Sequence, residues 1–103
     1  MNDQQRMEIA RAERASTILN DAMVQEALKT IEAAIRDQVF ALPIEAREQR
    51  DQLVMMDKMR QQFVRWFEIA INAGEVTKYE LLAEQNAQAK LDAIREQARN
   101  YAG

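Results

Sequence analysis

The chain has 103 residues, a net charge of −3, 17 alanines and 11 glutamines, but only 2 glycines and 1 proline. That balance fits a single helical domain and excludes a turn-rich β protein. With no cysteine and no histidine, disulfides, thiolate chemistry and Cys-ligated zinc are excluded, and the commonest general base and metal ligand are missing.

The first predicted helix runs from about Asp3 to Leu19. Met7, Ile9, Ala12, Ala15, Ile18 and Leu19 give it a sparse apolar stripe among charges. Asn20 is a strong N-cap residue, Asp21 suits the helix dipole, and Leu19 with Val24 is spaced as a hydrophobic staple. A second helix is therefore expected from Asp21 to Ala41, the alternative being one helix straight through. Val24, Leu28, Ile31, Ile35, Val39 and Leu42 recur at steps of three and four, which is one helical face. Ala27 and Ala34 widen it for close helix packing.

Pro43 breaks the chain and suits the first position of a third helix, expected from Ile44 to Ala73 and roughly 45 Å long. Leu53, Met56, Phe63, Phe67, Ala70 and Ile71 share its main face. Val54, Met55, Trp66 and Ile69 fall off that face, so this helix is apolar on more than one side. Such a helix is the centre of its bundle or is shared with another chain. Met55, Met56 and Met59 form adaptable packing material, with Met56 and Met59 read first as core. Trp66 is the first candidate for an interface anchor. Arg60 lies within the main stripe. Either its apolar stem packs while its head reaches the edge, or it forms a buried or intersubunit salt bridge.

Gly74 reads as a helix terminator. Thr77 and Glu80 fit a capping box, flanked by Val76 and Leu81 as a staple, so a fourth helix is expected from Lys78 to about Arg99. Its stripe is narrow and alanine-rich, suited to a coiled-coil seam or a projecting tail. The middle of the chain, 20–74, is expected to form the core, with 1–19 and 77–103 as adaptable ends.

No glycine-rich phosphate loop or nucleophile elbow occurs. Carboxylate pairs such as Glu45 with Glu48 read as solvated surface. An enzyme is not expected, nor any cofactor or metal. No segment between the breakpoints is net basic, which ranks nucleic acid last among partners. No signal-peptide core and no apolar run of membrane-span length is present.

Between Ala15 and Leu82 the chain resembles small helical proteins of tailed bacteriophages. The matching features are Ile18-Leu19-Asn20 followed by Glu26-Ala27-Leu28, a proline before Glu45-Ala46-Arg47-Glu48, an apolar-and-arginine third helix, and Ala73-Gly74-Glu75 before another helix. Those proteins often have proline just after the cap, where this chain has Ala22. They are commonly encoded among head-morphogenesis genes, and most have no assigned role. The resemblance implies a virion-associated or head-assembly protein, placed in the virion or host cytoplasm.

The resulting expectation is an all-α chain built on a long hairpin of helices 2 and 3, with flanking helices, in a bundle or coiled-coil-like oligomer. Trp66, Phe67, Ile69, Met55, Met59 and Arg60 are the candidate interface. They would dock onto another copy or onto a capsid, portal or other virion protein, with no membrane involved. The alternatives are a small inhibitor or adaptor that binds a host protein and, last, a regulatory DNA-binding module.

Overall fold

The structure is a computed structural model that describes residues 1–102. It holds three helices, α1 (Asp3–Leu19), α2 (Ala22–Ala41) and α3 (Arg47–Ala102), and no strand among the described residues. At about 1.5 Å per residue, the 56 residues of α3 account for nearly the whole 87 Å length of the molecule.

Local chemistry sets the ends of α1 and α2. The Asn2 side chain accepts from the Gln5 amide (2.8 Å), and the Gln5 side chain returns the favour to the Asn2 amide (3.0 Å), closing a capping box. The break between α1 and α2 falls one residue later than expected. Asn20 closes α1, its side-chain amide donating to the Ser16 carbonyl, and Asp21 caps α2 by accepting from Met23 and Val24. A carboxylate is the stronger acceptor for orphan amides at the positive end of a helix, so Asp21 takes that place.

Helix α3 starts at Arg47, not at Ile44. Pro43 holds Leu42 extended (φ −75°, ψ 142°) and then forms a turn in which the Ala46 amide donates to the Pro43 carbonyl. The Arg50 guanidinium also donates to the Pro43 and Ile44 carbonyls, so the turn's acceptors are satisfied.

The largest correction concerns the expected third and fourth helices, which are one helix. Neither Gly74 nor Thr77 ends anything. Gly74 has no positive φ, so it does not adopt the left-handed conformation that terminates helices. It is buried where α1 crosses α3. A Cβ built there would lie 2.1 Å from Ala12 Cβ and 3.0 Å from the Glu8 carbonyl oxygen. Thr77 is buried too. Its hydroxyl shares its proton between the Ala73 carbonyl one turn back (3.0 Å) and the Glu8 carboxylate of α1 (2.6 Å). The capping-box pattern is present, but the side chain is used for an interhelical contact.

Helices α1 and α2 both run antiparallel to α3 and follow one another along it. Glu8 meets Thr77, Ala12 meets Gly74 and Glu13 pairs with Lys78 (3.3 Å), whereas Glu32 of α2 reaches Arg60. The covered seam of α3 runs through Arg50, Leu53, Asp57, Arg60, Val64, Phe67, Ile71 and Gly74, all buried or half-buried, with Ala70 beside it and Thr77 and Leu81 beyond. The steps of the seam alternate three and four up to Gly74, the period of about 3.5 residues at which a helix keeps one seam toward a neighbouring helix. The core is thin. Ala12, Ala15, Ile35 and Leu53 are its buried apolar residues among those described, and no large side chain is fully buried.

Candidate functional site: the uncovered face of α3

A second apolar row runs along α3 on roughly the side opposite the covered seam. It comprises Met55, Met59, Gln62, Trp66, Ile69, Ala73, Val76, Glu80, Ala83 and Ala87, again with steps of four and three. None of these is covered. Met55 is 60% exposed, Trp66 53% and Ile69 57%. Met56 and Met59, read first from the sequence as core, are both more than half exposed; Met56 and half-exposed Phe63 of the main face widen this row along one edge. The three-and-four spacing already sets Met55, Trp66 and Ile69 apart from the main face in the sequence; their exposure adds Met59 and Val76 to that row.

Of the six expected interface residues, the structure brings together Met55, Met59, Trp66 and Ile69 on this face. Phe67 and Arg60 lie in the covered seam instead. Phe67 packs edge-on against both Phe63 and Trp66 (centroids 5.2 and 5.3 Å apart). The guanidinium of Arg11 in α1 sits 5.0 Å from the Trp66 ring centroid, a cation–π contact that steadies the indole while leaving half of it open.

Arg60 is 15% exposed, bonded to Asp57 (2.9 Å) and 3.9 Å from Glu32 of α2. Its charge is thus met within the chain. The Arg60 hydrogen bond holds the Asp57 carboxyl below its ordinary value of 3.8; partial desolvation opposes this, and the Arg60 charge and the Gln61 amide reinforce it. With the folded value lower than the unfolded one, the pairing stabilises the fold above about pH 4 and fades as acid titrates the carboxylate through its folded value. Asp57→Asn is expected to flatten the acid limb of stability measured by urea unfolding across pH 2–5 (about that range). An unchanged limb would mean the pairing adds nothing to the fold.

Beyond Leu82 the α3 tail has no cover from α1 or α2, and every residue from Leu82 to Tyr101 is exposed, including Leu91 and Ile94. The whole chain exposes 8728 Å², against about 5,900 Å² for a compact monomer of its 11.9 kDa mass. Its radius of gyration, 24.1 Å, is nearly twice the ~13 Å of a globular domain of this length. Among the described residues, no group of three or more acidic side chains is placed to hold a metal ion, and no helix is long and apolar enough to cross a membrane. No family model matches the chain, and comparison with characterised proteins and with solved structures finds no match.

Proposed function

We propose that this chain is a non-enzymatic assembly protein that acts by helix-mediated self-association, and that it works in tailed-phage head assembly, docking to a capsid, portal or internal virion protein. The observation that carries self-association is the uncovered row of Met55, Met59, Trp66, Ile69 and Val76, each more than half exposed on a rigid helix. An exposed row of large apolar side chains of this length, broken by Gln62, marks a protein interface. The phage setting rests on the resemblance of Ala15–Leu82 alone.

The test is the light-scattering mass of the purified chain over a dilution series. A defined oligomer that persists on dilution is expected, together with recovery of the chain in purified phage heads. A monomer at every concentration would sink self-association and leave the face to a different protein, as in a host-directed adaptor.

A further inference from the structure

The row of apolar and polar residues on the uncovered face has an internal symmetry that selects one pairing geometry. Two copies of α3 laid side by side in parallel and in register would set each residue against itself. Trp66 would face Trp66, Ala83 would face Ala83, and the like charges Glu80 and Lys90 would each oppose their own copy within the seam. The first is a volume clash, the second leaves a gap, and the third desolvates matching charges.

Laid antiparallel about a two-fold axis midway between Ile69 and Ala73 of the uncovered face, the same row maps onto itself with large residues opposite small ones. Met55 then faces Ala87, Met59 faces Ala83, Trp66 faces Val76 and Ile69 faces Ala73 of the other copy. Alternation of large and small side chains across a seam is what close packing requires. The polar positions match as well, Gln62 opposite Glu80 and Gln52 opposite Lys90, each giving a charge an amide partner. Shifting by one heptad either way destroys the match. One shift sets Met55 against Glu80, and the other sets Ile69 against Glu80 and Met59 against Lys90. The antiparallel register also covers the first part of the bare α3 tail, because residues 82–90 of one copy lie along 52–60 of the other.

We infer that two copies of this chain pair antiparallel through the uncovered face of α3, with the two-fold axis midway between Ile69 and Ala73 and Met59 of each copy beside Ala83 of its partner. Each α3 is then flanked by its own α1 and α2 on one side and by the partner's α3 on the other. The bare surface and the first part of the bare tail are one interface. This pairing rests on the self-association proposed above.

The chain has no cysteine, so engineered thiols report without background. Met59→Cys and Ala83→Cys variants of the full chain would be made separately, mixed, and oxidised with copper phenanthroline. A heterodimer disulfide between positions 59 and 83 is expected in the mixture. Each variant alone should give almost none, because its two thiols would lie about 36 Å apart along the axis, at about 1.5 Å per residue. Self-cross-linking of each variant alone, or no cross-link in a sample whose mass is dimeric, would overturn this geometry and leave self-association standing. A monomeric mass would overturn both.

Discussion

Replacing Gly74 with alanine is expected to detach α1 from α3. The added Cβ would lie 2.1 Å from Ala12 Cβ and 3.0 Å from the Glu8 carbonyl oxygen. Both atoms are fixed to the α1 backbone, so no rotamer change relieves the overlap and the helices must separate. Overpacking of this kind costs about 1–3 kcal/mol, more than the ~1 kcal/mol that alanine gains over glycine inside a helix. Separation also strains the Thr77–Glu8 hydrogen bond and the Lys78–Glu13 pair. Once loose, α1 loses the tertiary packing from which most helical stability in proteins comes. Amide hydrogen exchange across residues 3–19 should therefore accelerate strongly, while α2 and the part of α3 beneath it keep their protection. Adding Ala12→Gly should restore part of that protection by reopening the space. A Gly74→Ala chain that is simply more stable, with α1 still protected, would show that the crossing is looser than this geometry requires.

Trp66→Ala should weaken self-association far more than it weakens the fold. Within the chain, Trp66 has an edge contact with Phe67 and the Arg11 guanidinium over its ring, and half of it stays exposed. A half-exposed cation–π contact is worth about 0.5–1 kcal/mol. Truncating a tryptophan buried at the centre of an interface costs about 2–4 kcal/mol, which is about 30- to 1,000-fold in dissociation constant. Sedimentation equilibrium should show that loss, with helicity by circular dichroism little changed. Ile69→Lys, at a side chain 57% exposed, should have the same effect by placing a charge in the seam. Wild-type association of both variants would mean that this face is not the contact. Unfolding of Trp66→Ala would instead make the indole part of the chain's own core.

Much of this protein follows from its sequence alone. Alanine and glutamine abundance, the near absence of glycine, and the three-and-four spacing of apolar residues specify helices. Asn20-Asp21 and Pro43 break the chain because their effects are local: a side-chain acceptor for orphan amides, and a ring that forbids helix at the preceding residue. The helical spacing marks Val54, Met55, Trp66 and Ile69 as lying off the main stripe.

Gly74 and Thr77 had to be decided by tertiary structure, because each has two uses that look identical in one dimension. A glycine ends a helix or admits a neighbouring backbone. A threonine followed by glutamate caps a helix or carries a hydroxyl to another one. Here Ala12 and Glu8 of α1 approach them from more than sixty residues away in the chain, and that approach selects the second use in both cases. Which apolar row of α3 is covered was likewise fixed only when α1 and α2 lay end to end along one seam. Two short helices have faces enough for one side of α3, and the row through Trp66 stays bare.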